Sequence, residues 1–597
     1  METGRRSSLS LSAQILLFLL MALCAILPVC TNQTLTRSKF KAAVYEHAVI
    51  LPDDPKKIVS REEALQLMRR NLAVYAEQAA EVKRQGADIL VFPEDGLYGF
   101  SFTWLSLGPY LEKIPDPTVV DWIPCDDPNR FPDTEVQHEL SCMAKNNSLY
   151  IVANMGDFQP CHPMVVASCN RQMEGIEEHF QYNTDVAFDP EGKLVARYHK
   201  QHLFFEQQFD TPEKAEFATF DTPFGRWAMF TCFDILFYEP AVTVIEREGI
   251  ANIAFPTAWM DALPLLASVE FHSAFARGMG VNFLAANIHL PAHRFQGSGV
   301  YTPKGMAAFV HNATVTSQPR LILTEIDTLV KPRRESAKPV PTSTETPARS
   351  ARTSSIHDSG PGHSGDEHRN VISSTENAST EAVAEADTTQ DYEIAFVSEL
   401  FNDLFNFVQL DKPYATLRTC SNKICCHLTY SMHQDTQSPD LFAFGAFDGL
   451  HTHEGSYYLQ ICALVRCANQ SRHSCGSPTD QSSTSFHFLH MRGEFETGHV
   501  FPEVLLTTES NHLRLAQADE WSFSGGEIRS EEGFAYPLLA ASLFGRDYSR
   551  DGIGASQSPS DDGTVGYDAS STVTASPKWR LAVVCVTVML LITIVAF

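Results

Sequence analysis

The chain has 597 residues, enough for more than one domain, and its 44% hydrophobic and 10% aromatic content is that of a globular protein rather than a disordered one. A formal net charge of −27 excludes a general nucleic-acid binder, which needs a basic face.

In chain order, residues 1–30 read as a secretory signal peptide: Arg5 and Arg6 precede the apolar run Ile15–Ile26, and cleavage is expected between Cys24 and about Asn32. An N-terminal membrane anchor is the other reading of that run. Phe40–Leu51 has the character of a first strand. Ser60-Arg-Glu-Glu63 is a capping box, and Leu65, Met68, Leu72, Ala76, Ala79 and Val82 follow at helical spacing up to Gly86. Asp88–Glu94 is apolar without alternation, as in a strand buried on both faces. Leu149–Met155 reads as a strand, and Tyr182–Phe188 and Leu194–Tyr198 flank the turn Asp189-Pro-Glu-Gly192 as a hairpin. Arg226–Thr231 and Ala251–Phe255 are strands, followed by a helix from about Leu263 to Ala276 and a strand at Val281–Ala286. Strands alternating with helices predict an α/β layered domain over residues 38–330.

Residues 331–390 change character. They are rich in Ser, Thr, Pro and Glu, nearly without aromatics, and unable to bury enough apolar surface to order themselves. They read as a disordered linker open to O-glycosylation. Residues 391–545 hold six cysteines and alternating runs such as Tyr457–Val465, Phe486–His490 and Val500–Val504, which predict a smaller β-rich, disulfide-containing domain. A flexible stalk is expected over 546–570. The small residues Asp568, Ala569 and Ser570 are candidate attachment sites for a GPI lipid, followed by a polar spacer and the 17-residue apolar run Leu581–Phe597. Residues 571–597 then form a signal removed on maturation, and the mature protein is held at the extracellular surface by lipid; an uncleaved tail anchor is the alternative. Sequons at Asn32, Asn146, Asn312, Asn377 and Asn469 are candidate glycosylation sites.

Reactive groups in an α/β sheet collect at the carboxyl ends of strands. Glu94, Lys200 and Cys232 all lie just past predicted strands. A carboxylate could take the thiol's proton, and an ammonium could stabilise an oxyanion. Asp95 and Asp234 are rival carboxylates that spacing does not exclude. Eleven cysteines lie between the two terminal signals, an odd number, so one thiol is left over if Cys30 is removed with the leader. Cys425-Cys-His427 and His451-Thr-His453 lack the paired spacing of a metal site, and are read as disulfide cysteines and surface histidines; no metal or cofactor is expected.

Three segments, Val91-Phe-Pro-Glu-Asp-Gly-Leu-Tyr98, Ala196-Arg-Tyr-His-Lys-Gln-His-Leu203 and Phe230-Thr-Cys-Phe-Asp-Ile-Leu-Phe237, resemble the three catalytic motifs of the nitrilase superfamily. With Phe255-Pro-Thr-Ala-Trp-Met-Asp261, they are most similar to its vanin and biotinidase branch. The resemblance covers about residues 38–330 and extends through the second domain, but not the linker. It implies an αββα sandwich with Glu94 as general base, Lys200 as stabilising cation and Cys232 as nucleophile. The Phe233 backbone N–H would help to bind the oxyanion. It implies an acyl-thioester intermediate in amide hydrolysis, and five disulfides with Cys232 left unpaired. Vanins of that branch hydrolyse pantetheine to pantothenate and cysteamine, whereas biotinidase cleaves biotin amides. The terminal apolar tail favours the pantetheine-cleaving side. A non-catalytic surface protein on the same fold is the reading from a different class; it gives no reason for the chain to hold all three reactive residues.

Overall fold

The structure, a computed structural model, describes residues 37–161, 178–329, 331, 395–433, 439–508, 510 and 512–551, all within one compact unit that ends at Asp551. The leader, Asn32, the linker from residue 332 onward, Asn377, the attachment sites and the terminal tail lie outside the described residues.

Two six-stranded sheets face each other. The first is built from β1 (Lys39–Glu46), β2 (Ile89–Val91), β3 (Tyr150–Pro160), β4 (His179–Phe188) and β5 (Leu194–His199). The second contains β6 (Thr219–Thr222), β7 (Gly225–Met229), β8 (Asn252–Thr257), β9 (Asn282–Asn287), β10 (Ser298–Thr302) and β11 (Gly305–Val310). β12 (Arg320–Asp327) returns to the first, giving the orders β12-β1-β2-β3-β4-β5 and β11-β10-β9-β8-β7-β6. Each sheet has three parallel strands at its heart, β1-β2-β3 and β7-β8-β9, with antiparallel neighbours outside.

Buried strands of this kind have two apolar faces, and each face has its own cover. Phe40, Ala42 and Val44 point inward against Trp227, Met229 and Ile253 of the other sheet. Ala43 and Tyr45, one residue out of phase, point outward to the helix α1 (Arg61–Arg84), whose Leu72, Tyr75 and Ala79 cover them. The Ser60–Glu63 capping box that starts α1 is present in full. A helix not anticipated above, α2 (Glu135–Asn147), packs on the same side through Val136, Leu140, Met143 and Ala144. Cys125–Cys142 ties the preceding loop to it. The second sheet is covered by α3 (Ser268–Met279), which completes the αββα order.

α3 begins five residues later than its periodicity suggested. Residues 262 and 266 pair in a short bridge, and Asp261 Oδ1 accepts the N–H of Ser268 at 2.7 Å, which fixes the start there.

The C-terminal domain is a sandwich of a seven-stranded and a five-stranded antiparallel sheet with its own core, including Leu428, Tyr430, Phe444, Leu464 and Met491. Cys426–Cys462 joins the two sheets, and Cys420–Cys425 and Cys467–Cys475 close local loops. The larger sheet packs on α3: Phe501 lies 5.3 Å from Phe275, and Phe544 lies 5.3 Å from Phe271 between ring centroids. Residues 546–551, assigned above to the stalk, belong to this packing. Arg546 is fully buried and its Nε donates to the Leu236 carbonyl of the first domain at 2.8 Å.

Gly278 of α3 is where helix and sandwich come closest: a Cβ there would meet Phe501 at 2.7 Å and the Val500 carbonyl at 2.8 Å. Gly278→Ala is therefore expected to lower stability by about 1–3 kcal/mol in chemical denaturation. Gly498→Ala, where a Cβ meets nothing within 4 Å, is the matched control and should leave it nearly unchanged.

Candidate active site

The three residues read from the strand ends converge. β2 runs straight into Phe92, whose N–H still pairs with the Val152 carbonyl at 2.9 Å, and then into Glu94. Glu94 is 2% exposed and crosses from the first sheet to the second: its Oε2 accepts the Ala258 N–H at 2.7 Å. Its Oε1 accepts from Lys200 Nζ at 2.7 Å and from the Asn183 amide at 2.8 Å. Lys200 follows β5, is 1% exposed, and also pairs with Glu206. The second N–H of the Asn183 amide reaches Glu206 Oε2 at 2.8 Å. Glu94, Lys200, Glu206 and Asn183 thus form a closed ring in which one amide and one ammonium each bridge the same two carboxylates.

Glu206 and Asn183 escaped the sequence reading. Asn183 is placed by the β4–β5 hairpin, where Thr184 pairs with His199, and the Lys200 N–H donates to the Asn183 carbonyl at 2.9 Å. Glu206 lies six residues past Lys200 in a loop with no periodic signal.

Burial pulls the Lys200 ammonium down, but Glu206 and Glu94 override this and hold its pKa well above the usual lysine range. Burial raises Glu206. Cys232 is the free cysteine among the described residues and is 6% exposed. Burial, reinforced by the negative charge of Glu94, pushes its thiol well above the ordinary range, with Lys200 and the Thr257 hydroxyl opposing. The resting group is therefore a neutral thiol beside a paired carboxylate.

Cys232 opens a short 3₁₀ turn, Cys232–Leu236, at φ +47°, in the left-handed region that a residue with a side chain enters at a cost of about 1–3 kcal/mol. A buried polar network holds the turn there. Asp234 accepts from the Thr231 N–H at 3.1 Å, the Tyr198 hydroxyl at 2.7 Å and the His202 N–H at 2.8 Å. The Thr231 hydroxyl donates to Asp185 at 2.7 Å, and the Asn154 amide donates both to Asp185 at 2.9 Å and to the side-chain oxygen Oδ1 of Asn183 at 2.6 Å. Burial raises Asp234 to about 7 and Asp185 well above the carboxylate range. The rival carboxylates are thus accounted for. Asp234 is occupied in bracing the turn, and burial and the Glu94 charge raise Asp95 far above its usual range.

The thiol opens into a pocket walled by Phe204, Phe233, Leu236, Trp259, Met260 and Leu266, with Glu454 and Tyr457 of the C-terminal domain completing it. Of the segments weighed as metal sites, Cys425 and Cys426 are in disulfides and His427 pairs with Glu494 near the surface. His451 corrects the expectation of a surface histidine. It is 2% exposed and clamped between Asp403 and Glu454.

Residues 63–272 match the carbon–nitrogen hydrolase family and residues 394–551 match the vanin C-terminal domain family. The chain is 45% identical to the pantetheinase of Mus musculus over 523 residues, covering 87% of this chain and 91% of that one. It is 43% identical to the Homo sapiens pantetheinase, covering 88% and 92%, and 38% identical to Homo sapiens biotinidase, covering 86% and 90%. Among solved structures, an amidase from Nesterenkonia sp. matches with 20% identity and a TM-score of 0.33, over 49% of this chain and 93% of that one.

The electrostatics of the ring make a signed prediction. Removing the Glu94 charge relieves the repulsion on the Cys232 thiolate and frees Lys200 to attract it. Thiolate absorbance titrated against pH should show a midpoint lower in Glu94→Gln than in the unaltered protein by about one unit or more. An unchanged midpoint would show that the two groups do not sense each other, and a higher one that Glu94 favours the thiolate; either overturns the expectation.

Proposed function

The chain belongs to the vanin and biotinidase branch of the carbon–nitrogen hydrolases, and from that premise we propose that it cleaves pantetheine to pantothenate and cysteamine through an acyl-thioester on Cys232. The observation that carries this reading is the 43–45% identity to pantetheinases over 87–88% of the chain, which exceeds the 38% identity to biotinidase. The pocket supplies the chemistry.

Glu94 takes the proton of Cys232 as the sulfur attacks the amide carbonyl. Because the thiol is held neutral at rest, deprotonation and attack go together. The oxyanion that forms is stabilised by the Lys200 ammonium and by the Phe233 N–H, at the start of the turn where N–H groups lack intrahelical partners. Glu94 returns the proton to the nitrogen, cysteamine departs, and the pantothenoyl group stays on sulfur. Water then gives its proton to Glu94 and attacks the thioester; pantothenate leaves and the thiol is restored. Lys200 keeps its proton throughout, consistent with its raised pKa. Glu206 and Asn183 keep Lys200 and Glu94 in register.

We place this activity outside the cell. Disulfides such as Cys125–Cys142 and Cys426–Cys462 persist in oxidising compartments. Sequons Asn146 and Asn469 are exposed and Asn312 is half-buried, as acceptors for glycans on a secreted chain. The leader at residues 1–30 and the tail at 571–597 are read as signals for secretion and for attachment to a membrane by a GPI lipid.

The test is release of cysteamine from pantetheine by the purified protein, beside release of lysine from biotinyl-lysine. Cys232→Ala should lower kcat at least about 10³-fold with unchanged circular dichroism, and Glu94→Gln about 10²-fold or more. Activity surviving in Cys232→Ala would remove the thioester mechanism. Lysine release without cysteamine release would move the chain to the biotinidase side.

A further inference from the structure

The pocket above Cys232 is not closed by the catalytic domain alone. Glu454 and Tyr457 reach it from the sandwich domain, more than 220 residues later in the chain. Its other walls are mostly apolar, so Glu454 is a singular feature there: a carboxylate, 27% exposed, at the rim of an aromatic and aliphatic cleft. Its position is built rather than accidental. His451 donates from Nε2 to Glu454 Oε2 at 2.6 Å and from Nδ1 to Asp403 Oδ2 at 2.8 Å. Burial pulls that imidazole down, but the two carboxylates outweigh it and raise it to about 9, so it is a cation at neutral pH. One imidazolium between two carboxylates leaves a net negative charge, and no donor from another residue reaches Glu454 Oε1 among the described residues. The loop carrying Glu454 is pressed onto the nucleophile's turn. A Cβ at Gly455 would lie 3.3 Å from the ring of Phe233, the residue after Cys232.

We propose that Glu454 is a specificity residue contributed by the sandwich domain: the carboxylate oxygen that His451 does not hold accepts a hydrogen bond from a hydroxyl or N–H group on the acyl part of the substrate, and its charge turns away acyl chains that end in an anion. This rests on the pantetheine reading. The departing cysteamine offers only a thiol beyond the scissile amide, whereas the acyl part carries two hydroxyls and a further amide N–H, so the donor that meets Glu454 belongs to the acyl part. A site that satisfies a buried or half-buried acceptor with a substrate donor discriminates strongly against analogues that lack it. A phosphate on the primary hydroxyl would replace that donor with charge of the same sign as Glu454.

The experiment measures kcat and KM of the full chain, Glu454→Gln and Glu454→Asp on pantetheine and on pantetheine phosphorylated at its primary hydroxyl. Glu454→Gln should raise KM for pantetheine about fivefold to tenfold with kcat within about twofold, and shrink the kcat/KM preference for the uncharged substrate at least about tenfold. Glu454→Asp keeps the charge but shortens the reach, so KM should rise while the preference persists. An unchanged preference in Glu454→Gln, or a fall in kcat alone, would overturn the proposal and leave Glu454 a structural brace. Failure of the unaltered chain to release cysteamine would sink the pantetheine reading and this proposal with it. Turnover by the unaltered chain with an unmoved preference in the variant would sink the proposal alone.

Discussion

An ammonium cut off from water keeps its proton only if negative charge surrounds it, and the candidate active site is arranged around that requirement at Lys200. One carboxylate would neutralise it; this site supplies two, Glu94 and Glu206, and locks both with a single asparagine amide. Three separate segments of the first sheet must therefore end at one point, and the second sheet must bring the Ala258 N–H to meet Glu94. The surplus negative charge falls on the neighbouring thiol. Cys232 rests protonated as a result, which suits the proposed role of a nucleophile activated by Glu94 only during attack.

The turn that carries the thiol is gripped from two directions. Beneath it, Asp234, Thr231, Asp185 and Asn154 form a continuous buried network back to Asn183, so the left-handed backbone at Cys232 is coupled to the ring that holds Glu94. Above it, Arg546 of the sandwich domain donates to the Leu236 carbonyl at the end of the same turn, while also bonding the Tyr458 carbonyl and Asp551. A fully buried guanidinium so committed is expensive to disturb. The C-terminal domain is accordingly a structural part of the candidate site, in contact with both the turn and the pocket.

Much of this was legible in the chain because it follows from local rules. The strand ends at Glu94, Lys200 and Cys232 mark themselves by apolar runs that stop at a reactive residue, and Ser60 and Glu63 declare a helix start by their spacing. The odd cysteine is consistent with a thiol kept free. What was illegible depends on distant pairing. Glu206 has meaning only once β5 and its following loop fold back on Glu94, and Asn183 only through the hairpin register. Glu454 and His451 lie across the linker, and a His-x-His segment looks like surface until Asp403 is brought beside it. α2 shows another limit. Val136, Leu140, Met143 and Ala144 have helical spacing, but polar neighbours obscure it. Arg546 looked like the start of a stalk because nothing in its neighbours announces a partner in the other domain.

The disulfides of known pairing each stay within one domain: Cys125–Cys142 in the first, and Cys420–Cys425, Cys426–Cys462 and Cys467–Cys475 in the second. Packing of α3 on the sandwich, together with Arg546, joins the domains without a covalent bond among these pairs. A protease that cut between Lys331 and Ala395 would sever the backbone and leave those contacts in place. The product would be a two-chain enzyme whose halves persist as a complex at high concentration and separate on dilution, taking Glu454 and the brace on Leu236 away from the thiol. Loss of the tether would thus turn an intramolecular encounter into a bimolecular one, and make activity depend on protein concentration where before it did not.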